Sequence, residues 1–334
     1  MATAIPLLIC DDSSMARKQL IRSLPANWPF QISQADNGLA GLEAIRAGKG
    51  EIVLLDLTMP ELDGFGVLAR MREENLHADV IVISGDVQDE AIRRALALGA
   101  RSFISKPADA DELAAALQAL NRGLPANNPD AAPQTRVDLP HVGFRDAFRE
   151  VANIAMGRAA DLLARVLGVF IRLPVPNVNI LEVSELQMAL ADAQGNSRVS
   201  AICQGYIGGG IAGEALLIFH DSEIDDVARL LKHQPDSSSQ LELQLDLAAI
   251  VIGACLNGIS EQLDMRLSSS HPLVLGQHCT IEELIRLNRT RWKRTLAVEI
   301  SYGLEDHDIK FDLMLLFTED SVPVLQKKIA FLIN

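Results

Sequence analysis

The chain has 334 residues, which is more than one domain of ordinary size usually holds. Hydrophobic residues make up 49% and charged residues 22%, a balance that excludes a largely disordered protein. The net charge is −14, and residues 1–124 and the remainder each carry more acids than bases, which argues against a nucleic-acid-binding surface. The longest apolar run, 247–256, is short for a membrane span, and the N-terminus lacks a signal-peptide pattern. We therefore expect a cytoplasmic protein without a membrane partner.

The first 120 residues alternate between short apolar runs and segments with helical spacing. Predicted strands cover 5–10, 31–36, 52–55, 80–83 and 102–104, and predicted helices cover 13–24, 39–47, 64–72, 90–98 and 111–120. Uniformly apolar strands that alternate with helices are typical of a parallel sheet covered on both faces. The sequence therefore predicts an α/β domain with a doubly wound, five-stranded parallel sheet.

Polar residues stand where these predicted strands end, namely Asp11, Asp12, Asp56, Ser84 and Lys106. Ligands of open α/β sheets bind beyond the carboxyl ends of the strands, so these side chains should meet at one edge. Three carboxylates around one point require a hard cation, and oxygen ligands suit Mg²⁺. A lysine and a hydroxyl beside the metal can hold phosphate oxygens, and a carboxylate there can accept a phosphoryl group.

The order and spacing of these residues over 1–122 resemble the receiver domain of two-component response regulators, a CheY-like, flavodoxin-like fold. The resemblance implies that Asp56 is the phosphoacceptor. It further implies that Asp11, Asp12, Asp56 and the backbone carbonyl of Thr58 bind Mg²⁺.

The same resemblance assigns the residues that respond to phosphorylation. Ser84 would form a hydrogen bond to the phosphoryl group, and Lys106 would neutralise its charge. Phe103 would be the aromatic side chain that changes position on phosphorylation, where many relatives carry Tyr. The bond before Pro107 is expected to be cis. The implied phosphodonor is a sensor histidine kinase.

Residues 123–142 are predicted to be a linker, because 121–141 contain four prolines and no apolar periodicity. The domain limits predicted from the sequence are therefore 1–122 for the receiver and 143–334 for a second domain.

The second domain begins with a segment, 144–167, whose apolar residues follow a helical stripe. Asp146, Glu150 and Asn153 share one face of this helix, and Pro176 follows Asn153 after twenty-two residues. This spacing resembles the signature of the CheC/CheX/FliY phosphatases of bacterial chemotaxis. The resemblance implies an α+β fold built from a pseudo-twofold repeat.

The chemistry of such a helix follows from the substrate, a reactive acyl phosphate whose hydrolysis requires a water placed in line with the P–O bond. Asn153 can orient this water through its carboxamide, and Glu150 can pair with the receiver lysine and fix the position of the helix. Both residues are therefore candidate catalytic residues.

A shift of 96 residues repeats the motif in altered form, from Asp146 to Glu242. Asp246 then takes the place of the catalytic Glu, Ala249 that of the Asn, and Pro272 that of the Pro. Because Ala249 has no amide to orient water, the second site is predicted to be degenerate and inactive.

The sequence thus predicts a response regulator whose second domain hydrolyses an aspartyl phosphate. The substrate stays open between its own Asp56, that of a dimer mate and that of a separate phosphorylated receiver. In the last case, phosphorylation at Asp56 would gate the phosphatase activity toward that receiver. Homodimer formation also stays open, because no residue selects a surface. The alternative function is a phosphorylation-gated binding module without catalysis, whereas a DNA-binding output is disfavoured by the acidic charge.

Overall fold

The computed structural model describes residues 4–120, 139–181, 198–230, 237–279, 283 and 295–333. The chain divides into two compact units, Met1–Glu150 with Ile333 and Val151–Leu332 with Asn334. The division falls inside one helix, so the first two turns of that helix belong to the first unit. Most of the predicted linker, residues 123–138, lies outside the described residues, and the domain limits predicted from the sequence stay a prediction.

The first unit begins with five strands that alternate with five helices. Its elements are β1 (Ile5–Cys10), α1 (Ser14–Ser23), β2 (Phe30–Ala35), α2 (Gly38–Arg46), β3 (Ile52–Leu55), α3 (Gly64–Glu73), β4 (Asp79–Ser84), α4 (Asp89–Ala97), β5 (Ser102–Ser105) and α5 (Ala110–Ala119). The strands form a parallel sheet in the order β2-β1-β3-β4-β5. The predicted flavodoxin-like α/β fold is confirmed, and every predicted element lies within one residue of the observed bounds.

Local sequence signals account for these bounds. The side chains of Ser13, Asn37, Asp63 and Asp109 each accept a backbone N–H in the first turn of the following helix. Strands β3 and β4 are buried along their whole length, as a sheet covered on both faces requires. The parallel sheet brings the carboxyl ends of β1, β3, β4 and β5 to one edge.

The second unit consists of an antiparallel sheet and long helices. Its elements, with the helix shared by both units, are α6 (Phe144–Leu167), β6 (Ile171–Arg172), β7 (Asn177–Leu181), β8 (Val199–Gly208), β9 (Ile211–His220), α7 (Asp221–Leu230), α8 (Ser237–Gln262), β10 (Ser268–Ser269), β11 (Leu273–Cys279), β12 (Thr295–Leu304), β13 (Lys310–Thr318) and α9 (Ser321–Ile333). The sheet order is β10-β8-β9-β13-β12-β6, with β11 paired to β8 and β7 to β12. The predicted α+β class is confirmed.

The strand registers confirm the predicted pseudo-twofold repeat. Arg172 pairs with Gly303, and Ser268 pairs with Ile207. Ser268 lies 96 residues after Arg172, and Gly303 lies 96 residues after Ile207, so the two pairings are equivalent in the repeat. The short strands of each half of the repeat therefore pair with the long hairpin of the other half. The same shift relates the pairing of Val178 with Val298 to that of Val274 with Ile202. It also relates the pairing of Asn177 with Glu299 to that of Leu273 with Cys203.

Helices α6 and α8, which are equivalent in the repeat, approach each other closely in the second unit. A Cβ atom on Gly258 would lie 2.8 Å from the Cα atom of Ala155. The side-chain amide of Gln262 donates a hydrogen bond to the carbonyl of Val151 at 3.0 Å. Contact between the two helices thus depends on the missing side chain at Gly258.

One helix segment among the described residues, Gln240–Gln262, is long and apolar enough to cross a membrane by length and composition. This segment is longer than the apolar run noted in the sequence. In the structure, 61% of its most apolar stretch is buried inside the protein.

Gly258→Ala is expected to lower the free energy of unfolding by roughly 1–3 kcal/mol, because the added methyl group would collide with the backbone of α6. Gly253→Ala is the matched control on the same helix, since a Cβ there meets no atom within 4 Å. It should stabilise the protein by about 0.5–1 kcal/mol through helix propensity. Urea midpoints of both variants test the packing, and equal shifts in one direction would contradict it.

Candidate functional site

Three carboxylates gather at the carboxyl ends of β1 and β3. Asp11, Asp12 and Asp56 each place one carboxylate oxygen within 4.8 Å of the others. Backbone hydrogen bonds fix the ends that carry them, because the N–H of Asp56 donates to the carbonyl of Cys10 at 2.9 Å. Asp11 and Asp56 are each only 1% exposed. The prediction that these residues share one edge of the sheet agrees with their positions.

The donor set of this cluster fits a hard divalent cation. It consists of carboxylate oxygens, and Thr58, whose backbone carbonyl is the fourth predicted ligand, is buried two residues after Asp56. Burial, followed by the charge of Asp11, raises the pKa of Asp12 to about 6, although Arg149 and Lys106 oppose this shift. Mutual repulsion of buried acids is what a divalent ion would relieve.

The ammonium of Lys106 lies among three carboxylates. Its Nζ atom is 2.8 Å from Oδ2 of Asp11, 3.3 Å from Oδ2 of Asp56 and 3.0 Å from Oε1 of Glu150. Burial lowers the pKa of Lys106, but these carboxylates more than offset burial and hold it well above its usual value. Lys106 is therefore charged, and it links the phosphoacceptor candidate to the first turns of α6.

For the carboxyl groups around Lys106, burial outweighs the attraction of the lysine. Burial raises the pKa of Asp56 well above its usual value, with Asp11 and Glu150 adding to the shift and Lys106 opposing it. Burial likewise raises the pKa of Glu150 to about 7, again against the attraction of Lys106. The site thus carries more carboxyl groups than Lys106 can neutralise. This excess of acid favours the binding of a cation.

The predicted switch residues lie on strands β4 and β5 or directly after them. Ser84 is fully buried, and its hydroxyl accepts the backbone N–H of Asp86 at 3.2 Å. The N–H of Lys106 donates to the carbonyl of Ser84 at 2.9 Å, which places the two residues side by side. Phe103 is half-buried on β5. The peptide bond between Lys106 and Pro107 is cis, as predicted.

The first two turns of α6 carry two further charged contacts to this site. The carboxylate of Asp146 accepts the hydroxyl of Ser14, and it accepts the backbone N–H groups of Ser14 at 3.4 Å and Met15 at 3.3 Å. These groups form the N-terminus of α1, where a negative charge is favourable. The guanidinium of Arg149 lies 3.1 Å from Asp146 and 3.4 Å from the carboxylate of Asp12.

The structure places the remaining predicted site residues in the second unit. Asn153 is buried and lies one turn after Glu150 on α6, and Pro176 is also buried. On the equivalent helix α8, Asp246 and Ala249 are exposed. The predicted degenerate site is therefore a solvent-facing helix surface on which Ala249 offers no amide.

Sequence reasoning missed the contacts of Arg149 and the capping of α1 by Asp146. The sequence did offer a signal for Arg149, because this residue is a cation that stands between the acids Asp146 and Glu150 of the motif. The contact of Asp146 had no comparable signal, because it depends on where α6 begins relative to α1.

Two solved structures are similar to parts of the chain. FliY of Thermotoga maritima covers 58% of this chain and 99% of its own length, with a TM-score of 0.44 and 18% identity. The CheX–CheY–BeF3–Mg complex of Borrelia burgdorferi matches with a TM-score of 0.33 and 30% identity, covering 34% of this chain and 87% of the matched chain.

Sequence comparison matches residues 7–118 to the response regulator receiver domain family. The chemotaxis protein CheY of Listeria monocytogenes is 36% identical over 115 residues, which is 34% of this chain and 96% of that protein. CheY of Bacillus subtilis is 31% identical over 118 residues, 35% of this chain and 96% of its own length. Through its N-terminal CheY-like domain, the chain belongs to the response regulator receiver family of two-component systems.

Proposed function

We propose that the protein is a cytoplasmic response regulator that is phosphorylated on Asp56 by a sensor histidine kinase and that catalyses removal of this phosphoryl group through α6. Asp11, Asp12, Asp56 and the carbonyl of Thr58 would hold Mg²⁺. When bound, the ion supplies positive charge to the phosphoryl oxygens and orients them.

The chain's own residues carry the remaining parts of phosphorylation. A carboxylate oxygen of Asp56 forms the bond to phosphorus while the bond to the donor breaks. Lys106, already within 3.3 Å of that carboxylate, balances the added negative charge. Ser84, at the adjacent strand end, offers a hydroxyl donor to a phosphoryl oxygen.

The observation that carries the hydrolytic proposal is the position of Lys106 between Asp56 and Glu150, at 3.3 and 3.0 Å. Glu150 thereby fixes the register of α6 at the phosphoacceptor. Asn153, one turn further, would orient a water toward phosphorus. Attack by that water breaks the P–O bond, which releases inorganic phosphate and restores the carboxylate of Asp56.

The contact between Lys106 and Glu150 joins residues of the same chain, which favours its own Asp56 as the substrate. Hydrolysis in cis would make phosphorylation self-limiting, so that the lifetime of the signal is set inside the molecule. Dilution and mixing experiments distinguish this substrate from the Asp56 of a dimer mate and from a separate phosphorylated receiver.

Asp56→Asn is expected to abolish labelling by a small-molecule phosphodonor in the presence of Mg²⁺, because it removes the nucleophile. Its melting temperature at pH 7 without metal should equal or exceed that of the wild type, since burial and neighbouring acids disfavour charge at this position. Labelling that persists in the variant would exclude Asp56 as the phosphoacceptor. A melting temperature lower by many degrees would show that Asp56 has a structural role instead.

Asn153→Ala should slow the decay of phospho-Asp56 roughly ten- to a hundredfold, because water loses its orienting group. Asn257→Ala is the matched control, an exposed asparagine on the equivalent helix α8, and should leave decay unchanged. Decay is followed with labelled phosphate after removal of the donor, and far-UV circular dichroism checks folding. Equal decay in the wild type and both variants would favour the binding-module alternative.

A cis reaction should give a first-order decay constant that does not change when the protein is diluted a hundredfold. The reason is that Glu150 and Asp56 belong to one chain and need no encounter. A constant that falls on dilution would indicate a dimer mate. Faster decay of a different phosphorylated receiver on mixing would indicate a separate substrate.

A further inference from the structure

Arg149 is placed between two acids, one of which belongs to the cation cluster. Its Nη2 atom is 3.4 Å from Oδ2 of Asp12 and 3.1 Å from Oδ1 of Asp146. The side chain of Asp12 is 8% exposed and that of Arg149 32%, so solvent only partly screens the pair. The motif of the second domain does not include Arg149, and the mechanism above does not use it.

We propose that Arg149 is an internal counter-ion of Asp12 that a divalent cation must displace, so that this arginine lowers the affinity of the chain for Mg²⁺. The inference rests on the metal site of the proposed function and is independent of hydrolysis. Arg149 acts through Asp12 and is therefore a positioning residue.

Electrostatics gives the direction of the effect. A guanidinium beside a ligand carboxylate adds a positive charge next to an incoming cation, and it occupies an oxygen that the cation requires. Both effects weaken cation binding. Lys106 opposes the cation in the same way at Asp11 and Asp56, but it is shared with Glu150.

The second partner of Arg149 makes displacement feasible. When Asp12 turns to the cation, Asp146 still neutralises the guanidinium at 3.1 Å, so no unpaired charge is left behind. Asp146 is itself held by the N-terminus of α1, and Glu150 by Lys106. Release of Asp12 therefore breaks one of the contacts that tie α6 to the site and leaves the others in place.

The coupling is reciprocal by thermodynamic linkage. If Arg149 weakens Mg²⁺ binding, then Mg²⁺ must weaken the tie between Asp12 and α6 by the same factor. Metal loading would thus loosen the start of α6, while removal of the metal would tighten it.

Calorimetric titration of the full chain with MgCl₂ tests the inference. Arg149→Ala and Arg149→Gln should bind Mg²⁺ roughly threefold to tenfold more tightly than the wild type, because the competing charge is gone. Arg149→Lys restores the charge and should return affinity toward the wild-type value. Arg145→Ala removes an exposed arginine of the same helix and should change affinity by less than twofold.

Two results overturn the inference and can be told apart. If Arg149→Ala and Arg149→Gln both bind Mg²⁺ with the affinity of the wild type and of Arg145→Ala, the counter-ion role is rejected. The proposed phosphorylation of Asp56 would then still stand. If no variant binds Mg²⁺ at millimolar concentration, the metal site itself fails, and the proposed function fails with it. Melting curves of each variant verify folding, and the Gln variant replaces the Ala variant if the latter does not fold.

Discussion

The site depends on one buried ammonium that three carboxylates share. Lys106 is 6% exposed as a residue and contacts Asp11, Asp56 and Glu150 at 2.8–3.3 Å. A buried charge is tolerated only when it is paired, so the lysine holds together groups that would otherwise repel. It also fixes the first turns of α6 to the strand ends, which are in turn fixed by the backbone of the parallel sheet.

The same balance of charge distinguishes this site from an ordinary structural network of ion pairs. Lys106 and Arg149 oppose a larger number of acids, and burial raises the pKa values of Asp56, Asp12 and Glu150. A structural network would gain stability from matched charges, whereas this one stays acidic in excess. A divalent cation would supply positive charge at this site without another side chain.

The sequence predicts what depends on local pattern and on the fold class. Because parallel strands end at one edge, the sequence predicts that residues as distant as Asp11, Asp56 and Lys106 lie close together. The 96-residue shift likewise predicts the pseudo-twofold repeat, whereas the exchange of short strands between its halves is seen only in the structure. The capping of α1 by Asp146 and the pairing of Arg149 were not predicted, because they depend on the position of one helix start on another element. No periodicity encodes such a contact, and both side chains also suit a solvated helix face.

The repeat shows how the fold and the chemistry of the second domain separate. Strands β6 and β7 pair with β12, and β10 and β11 pair with β8, so each half completes the sheet of the other. Helix α8 is required in this arrangement for its contact with α6 at Gly258, whatever side chains it presents to solvent. Ala249 and Asp246 can therefore replace an amide and a longer acid without disturbing the packing. Of these two helices, α6 is the one that keeps the amide, at Asn153, and it is also the one that contacts Lys106, through Glu150 at 3.0 Å.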